Sequence, residues 1–132
     1  MRTTINTIDA DAKVIDATKI MGTSSYVIIL EKGKPVGIIT ERDIIGKVLA
    51  EDRDPKKVSV TEIMSAPIIT IDPDDDLVTA SSVMRENGIG KLIVMREEIV
   101  YGVITNMIIS HHFQSYVDSA IRDMIRWTPS LV

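Results

Sequence analysis

The sequence predicts an α/β fold built from two copies of one β-α-β-β-α unit. The first observation is an internal repeat, in which 7–17 aligns with 70–80 and a threonine, an isoleucine, two aspartates and an alanine recur at the same places. The second is that further stretches recur after a two-residue difference, namely 27–30 with 92–95 and 37–40 with 102–105. The third is the alternation of strand-like and helix-like patterns within each copy. Such self-similarity indicates a duplicated structural unit.

The first copy carries the signals of three strands and two helices. Its strands are predicted over 4–8, 26–30 and 35–39, and its first helix over 12–21 with Gly22 as the stop. The second helix is predicted to begin after Thr40. The apolar residues expected on the inward helix faces are Val14, Ala17, Ile20 and Met21 in the first helix and Ile44, Ile45, Val48 and Leu49 in the second.

The second copy repeats this order and ends in a longer helix. Its first helix is predicted over 75–87 with a stop at Gly88, and an apolar stripe then runs from 106 to about 127. A face that long exceeds what one small core covers, so we expect it to pack against another subunit or domain. The predicted units are 1–58, with a solvated linker from about 51, and 59–132.

The composition is that of a globular protein and excludes several classes of function. The chain has 132 residues, of which 45% are apolar and 26% charged, and a formal net charge of −4. Because it has no cysteine, disulfides, thiol catalysis and cysteine-based metal sites are excluded. No apolar run approaches the ~20 residues that span a bilayer, and no signal peptide is evident, so we expect a cytoplasmic protein without membrane binding. The negative charge argues against direct binding to nucleic acid.

The sharpest local motif is Gly37-Ile38-Ile39-Thr40-Glu41-Arg42-Asp43, a strand glycine followed by Thr-x-x-Asp at a helix start. One interpretation is structural, with Thr40 as the N-cap and Asp43 completing a near capping box that also complements the helix dipole. The other is functional, with backbone N–H groups and the Thr40 hydroxyl holding a phosphate while Asp43 accepts both hydroxyls of a ribose. The spacing alone leaves both interpretations open.

Three features in order resemble paired CBS domains. They are the strand at Thr7-Ile8, the Gly-x-x-Thr-x-x-Asp motif at 37–43, and Ile63-Met64-Ser65-Ala66-Pro67 at the opening of the second copy. The resemblance covers about residues 3–112. It implies two units packed sheet to sheet with pseudo-twofold symmetry. It also implies two clefts of the kind that bind AMP, ADP, ATP, S-adenosylmethionine or NAD.

The resemblance further implies which residues form the first cleft. Thr40 and Arg42 become candidates for the phosphate and Asp43 for the ribose, while Ile38 and Thr70 would help to form the base pocket. The full set of candidates, in which Met64 and Pro67 border the base, is Ile38, Thr40, Arg42, Asp43, Met64, Pro67, Thr70, Gly90 and Lys91.

The second implied cleft departs from the family pattern. Its candidate residues are Thr7, Ser25, Tyr26 and Thr105. The position that matches Asp43 is Ile108, whose side chain cannot hydrogen-bond a ribose diol. Losing a good polar contact typically costs ~1–3 kcal/mol, or about one to two decades in affinity. We therefore expect this cleft to be weak or empty and one ligand to bind per chain.

The other polar motifs suggest neither catalysis nor a metal site. His111 and His112 are adjacent, so on a helix they point in different directions, unlike the i, i+4 pair of a helical metal site. No Ser/His/Asp arrangement is suggested. The acidic run 72–76 lies where a helix begins and is expected to be a solvated cap. Trp127 is expected to anchor into a neighbouring helix or subunit.

We therefore expect a non-catalytic regulatory module that binds an adenine nucleotide, as in energy sensing, with S-adenosylmethionine and NAD as alternative ligands. The alternative is a ligand-independent dimerisation or scaffold module in which Thr40 and Asp43 only cap a helix. The resemblance also implies a homodimer, because CBS pairs commonly join through their helices. Any regulated partner would be a separate protein, and the sequence identifies neither that partner nor the natural ligand.

Overall fold

The computed structural model describes residues 5–22 and 24–105, which form two β-sheets with helices beside them. The elements of the first unit are β1 (Thr7–Asp9), α1 (Val14–Met21), β2 (Tyr26–Glu31), β3 (Lys34–Thr40) and α2 (Glu41–Ile44), which continues as a π-helical turn (Ile45–Leu49). The rest of the described chain forms α3 (Val60–Ile63), β4 (Thr70–Ile71), α4 (Leu77–Asn87), β5 (Lys91–Arg96) and β6 (Ile99–Thr105). The predicted last helix, with Ile108, His111, His112 and Trp127, lies outside the described residues.

The two sheets have the same strand order and register, which confirms the repeat. In each sheet the short first strand pairs in parallel with the second, and the second pairs antiparallel with the third. Thr7 lies opposite Ile28 in the first sheet, as Thr70 lies opposite Ile93 in the second. Both hairpins also shift register between the fourth and fifth residues of their first strand. The duplicated sequence therefore folds into two equivalent sheets.

The two sheets face each other across a shared apolar core. Its buried residues are Tyr26, Ile28, Ile93 and Val103. Because these side chains come from the hairpins of both units, the predicted sheet-to-sheet packing is confirmed. Full burial of a large apolar side chain stabilises a fold by roughly 1.5–3 kcal/mol, so this cluster contributes strongly to holding the units together.

Residues 58–65 join the two units, and the apolar residues of this joining segment are part of the core of the first unit. The N–H of Val14 donates to the carbonyl oxygen of Val58 (2.8 Å), and the N–H of Val60 donates to that of Ala12 (3.0 Å). The buried residues of this core are Val14, Ala17, Met21, Val27, Ile29, Ile39, Val48, Val58, Val60 and Ile63. The preceding residues 51–57 are exposed except for the half-buried Pro55.

Three apolar residues that the helical pattern predicted to face inward are exposed. Ile20 is 41% exposed because it lies off the face that carries the buried Val14 and Ala17. Ile45 and Leu49 are 59% and 64% exposed. The N–H of residue 50 donates to the carbonyl of Ile45, an i→i+5 bond, so this turn does not follow the 3.6-residue period on which the prediction rested. The predicted inward direction was therefore wrong for all three.

Helix α4 begins and ends close to the predicted positions. Oδ1 of Asp76 accepts a hydrogen bond from the N–H of Thr79 (2.8 Å), which makes Asp76 the N-cap. Gly88 ends the helix with φ +62°, a conformation that glycine adopts without steric cost. Other boundaries moved by a few residues, since β1 begins at Thr7 and α1 at Val14. The one-turn helix α3 was not predicted.

Candidate functional site

Asp43, in the first turn of α2, is a buried carboxylate. The residue is 6% exposed, and no other charged residue in the described part of the chain is buried. The N–H of Thr40 donates to Oδ2 of Asp43 (2.9 Å), and the Thr40 hydroxyl donates to the same oxygen (3.3 Å). The N–H contact is the acidic half of a capping box, so the structure contains the capping arrangement that the motif suggested.

The other oxygen of Asp43 contacts the segment that joins the units. Oδ1 lies 2.9 Å from Nζ of Lys47, one helical turn away, and accepts a hydrogen bond from the Ser65 hydroxyl (3.2 Å). The Lys47 ammonium also donates to the carbonyl oxygen of Ile63 (2.9 Å). Asp43 therefore connects α2 to the joining segment both directly, through Ser65, and indirectly, through Lys47.

A small apolar cavity of about 40 Å³ lies between the two units beside this network. Its lining residues are Ile38, Ser65, Pro67, Ile68, Ile69, Ile89, Lys91 and Ile93. Ile38 comes from the first unit, whereas Lys91 and Ile93 come from the second. The space holds a few water molecules and not a nucleoside, since one water needs roughly 10–15 Å³.

Ser65 links the cavity to the buried carboxylate. Its N–H donates to the carbonyl oxygen of Ile38 (2.8 Å), and the N–H of Ile38 donates to the carbonyl of Ser65 (3.1 Å). This reciprocal pair holds the Ser65 backbone against the end of β3 that leads into α2. The side chain of Ser65 then reaches Asp43 from the cavity wall.

The structure brings part of the predicted first cleft together. Ile38, Pro67 and Lys91 line the cavity, and Thr40 and Asp43 are connected to it through Ser65. The other predicted residues are not among those that line it, namely Arg42, Met64, Thr70 and Gly90.

These four residues differ in burial and in the element that carries them. Arg42 is exposed on α2, and Thr70 is exposed in β4 opposite Ile93. Gly90 is half-buried directly before Lys91. Met64 is half-buried against the first core.

Sequence reasoning missed Ser65 and Lys47, and with them four isoleucines of the cavity wall. The spacing of Asp43 and Lys47 at i, i+4 on a helix was a readable signal of an ion pair. Ser65 lies within the motif 63–67, but nothing in the neighbouring sequence indicates that its hydroxyl contacts another side chain. The isoleucines carry no local signal of a cavity, because apolar residues in strands and beside them indicate core. They are Ile68, Ile69, Ile89 and Ile93.

Two of the predicted residues of the second cleft, Tyr26 and Thr105, lie at the same end of their respective hairpins. Tyr26 lies opposite Thr40 in the first sheet, as Lys91 lies opposite Thr105 in the second. Tyr26 is only 4% exposed and belongs to the core between the sheets. Thr7 is exposed in β1, and Ser25 precedes β2 with φ +47°. The residue that decides this prediction, Ile108, lies outside the described residues.

The acidic run at 72–76 is used for structure. Arg96 donates from Nε to Oδ2 of Asp72 (3.0 Å) and also contacts Asp74. Hydrogen bonds from Arg96 lower the pKa of the Asp72 carboxyl to about 2. Among residues 5–22 and 24–105, no group of three or more His, Cys, Asp or Glu side chains could hold a metal ion. Within the same residues, no helix has the length and apolar character needed to cross a bilayer.

Comparison with known proteins identifies the family. Residues 1–50 and 60–111 each match the family model of the CBS domain. A CBS domain-containing protein of Bacillus subtilis is 26% identical over 106 residues, which cover 79% of this chain and 75% of that protein. A protein of Methanopyrus kandleri is 38% identical over 85 residues, which cover 64% of this chain. The chain spans only 43% of the length of that archaeal relative.

Solved structures show the same fold. A CBS-domain protein from Burkholderia ambifaria has a TM-score of 0.78 at 26% identity, and the match covers 84% of this chain and 83% of that one. A CBS domain protein from Pyrobaculum aerophilum, complexed with AMP, has a TM-score of 0.74 at 18% identity and covers 82% and 85%. Both similarities extend across the two units described above.

Proposed function

Since the chain belongs to the CBS domain family, we propose that it is a non-catalytic regulatory module that binds an adenine nucleotide, or a related adenosyl ligand, between its two units. The observation that carries the proposal is the buried carboxylate of Asp43 beside an apolar cavity formed by both units. Adenosine combines a vicinal diol with a flat base. The two hydroxyls of the diol can donate hydrogen bonds to a carboxylate, and the base can pack against apolar walls. The AMP bound to the Pyrobaculum protein supports this class of ligand.

In the proposed complex each predicted residue of the first cleft has a role. Asp43 accepts the ribose hydroxyls, and Thr40 and Arg42 contact the phosphate at the start of α2. Lys91 adds a second positive charge at the cavity wall, and Ile38 lies against the base. The other residues that surround the ligand are Met64, Pro67, Thr70 and Gly90.

The size of the cavity suggests how binding could regulate a partner. At about 40 Å³ the space is too small to enclose a nucleoside. A bound ligand therefore either extends from the open side of the pocket into solvent or separates walls that belong to different units. A ligand shifts a conformational equilibrium only by its differential affinity for the two states. We propose that an adenine nucleotide enters between these walls and favours a more open arrangement of the units, to which a partner protein that distinguishes the two arrangements would respond.

A thermal-shift titration tests the proposal directly. Wild type, Asp43→Asn and Asp16→Asn are heated with AMP, ADP, ATP, S-adenosylmethionine or NAD. Asp16 is the matched control, because its carboxylate holds the same position in α1 and accepts the N–H of Lys13, but the residue is exposed.

We expect one or more ligands to stabilise wild type and Asp16→Asn, by about 2.7 kcal/mol at 100 times Kd, and Asp43→Asn to lose the response. If none of the five ligands stabilises wild type, the proposal is wrong. Calorimetric titration then gives the stoichiometry, for which we propose one ligand per chain.

One observation favours the alternative function, a dimerisation or scaffold module. Ile45 and Leu49 lie one turn apart on the π-helical turn and are 59% and 64% exposed, so they offer an apolar surface for a second copy. We propose a homodimer that uses this surface. Sedimentation at micromolar concentration should show a dimer for wild type and a monomer for Ile45→Glu, whereas Ile20→Glu, at an exposed apolar residue of α1, serves as the control. A monomeric wild type would contradict the dimer.

A further inference from the structure

The two hydroxyl groups that contact Asp43 donate to different oxygens of its carboxylate. The Thr40 hydroxyl lies 3.3 Å from Oδ2, and the Ser65 hydroxyl lies 3.2 Å from Oδ1. Each oxygen also has one shorter contact of 2.9 Å, from the Thr40 N–H to Oδ2 and from Lys47 Nζ to Oδ1. Each carboxylate oxygen therefore pairs one short contact with one longer hydroxyl contact.

We propose that the hydroxyl of Ser65 occupies a binding position on Asp43 that the ligand's diol needs. This hydroxyl must be displaced when the ligand binds, and the competition between the two helps to set the affinity of the site. This inference rests on the proposed function and adds a specificity-determining residue to it. A carboxylate offers about four acceptor positions, and four protein donors already use them. A diol can bind only if two of these donors leave.

The hydroxyls are the donors that can leave at the lowest cost. The Thr40 N–H is fixed in the backbone, and the Lys47 ammonium is also held by the carbonyl oxygen of Ile63 at 2.9 Å. By contrast, the Ser65 hydroxyl is released by rotation about χ1 between staggered positions, which needs no movement of the main chain. The Thr40 oxygen also accepts the N–H of Asp43 in the capping box, so this hydroxyl withdraws only its proton, by turning about its own C–O bond. The ligand's two hydroxyls would then take the places of the Ser65 and Thr40 hydroxyls, one on each oxygen.

The surroundings of Ser65 allow this exchange. Its backbone stays paired with Ile38 in both directions, at 2.8 and 3.1 Å, while its side chain turns. Ser65 is an exposed residue at the cavity wall, so its released hydroxyl can hydrogen-bond to water. Lys47 keeps its contact with Oδ1 and acts as a positioning residue that holds the carboxylate in place.

Calorimetric titration of three proteins tests the inference. Wild type, Ser65→Ala and Ser81→Ala are titrated with AMP, ADP and ATP and with the 2′,3′-dideoxy form of each. Ser81, a half-buried serine of α4, is the control for the loss of a hydroxyl. Urea unfolding checks that each variant is folded, which we expect because Ser65 is exposed.

We expect Ser65→Ala to bind the ribonucleotide about fivefold more tightly than wild type, because one hydroxyl–carboxylate bond no longer has to be broken. The dideoxy form should bind wild type and Ser65→Ala equally, and Ser81→Ala should match wild type. Binding by Ser65→Ala alone would also support the inference. If wild type binds and Ser65→Ala binds equally or more weakly, the inference is wrong and the proposed function stands. If neither protein binds any of the nucleotides, the inference is wrong, and the proposed function is wrong as well if S-adenosylmethionine and NAD also fail to stabilise wild type in the thermal-shift titration.

Discussion

Gly37 lies in close contact with Met64. This contact predicts how much a methyl group added at Gly37 lowers the free energy of unfolding. A Cβ atom at Gly37 would lie 2.8 Å from Cγ and 3.1 Å from Cβ of Met64, well inside ordinary van der Waals contact. A change of rotamer moves the sulfur and Cγ of Met64 but not its Cβ, so the 3.1 Å contact remains after that change. Because the neighbouring Ser65 is paired with Ile38, the backbone there resists movement. Overpacking of this kind typically costs about 1–3 kcal/mol, which is our expected loss for Gly37→Ala.

The assay is urea unfolding of four proteins: wild type, Gly37→Ala, Met64→Ala and the double variant. Met64→Ala removes Cγ and the sulfur but keeps Cβ at 3.1 Å, so the larger part of the clash disappears. Gly37→Ala should therefore cost at least about 1 kcal/mol less in the Met64→Ala background. Gly46→Ala is the matched control, because a Cβ there meets nothing within 4 Å and helical alanine gains roughly 0.5–1 kcal/mol over glycine. A Gly37→Ala protein as stable as wild type, or strictly additive losses, would refute this reasoning.

Two further predictions concern charged groups. Lys47→Met should lower the free energy of unfolding by about 1–2 kcal/mol, because the buried Asp43 loses its cationic partner, whereas Lys57→Met at an exposed linker lysine should have little effect. Equal urea midpoints for the two variants would contradict this. Arg96→Met should raise the pKa of Asp72 from about 2 toward its ordinary 3.8 in an NMR titration. Since the folded-state pKa is lowered, the stabilising contribution is present above pH 4 and lost as the pH falls to about 2, and an unchanged titration would argue against the contact.

The architecture could be predicted from the sequence because the same pattern of residues occurs twice in the chain. The recurrence of 7–17 at 70–80 predicted two equivalent units, and the sheets confirm this with the same strand order and the same register. The ends of helix α4 could also be predicted. Asp76 begins the helix through a local hydrogen bond, and Gly88 ends it through its local backbone angles. Features that depend on neighbours in sequence are the features that a sequence pattern reports well.

Helix faces were predicted less well, for a reason visible in the second helix of the first unit. Ile44 and Val48 turn inward as the period predicts, but the i→i+5 turn leaves Ile45 and Leu49 exposed. A hydrophobic period assumes a regular helix, and the local bonding pattern is settled by packing against the rest of the chain. The exposed pair is now the basis of the proposed dimer.

At the candidate site, the sequence by itself determined the contact between the two polar residues of the motif. Thr40 and Asp43 are three residues apart, so their contact follows from helix geometry, and Lys47 follows at i, i+4. Only the tertiary structure decided that Asp43 is buried and that Ser65, 22 residues away, donates to it. Local spacing fixes contacts within one turn of a helix, whereas burial and long-range hydrogen bonds depend on how the joining segment packs between the two units.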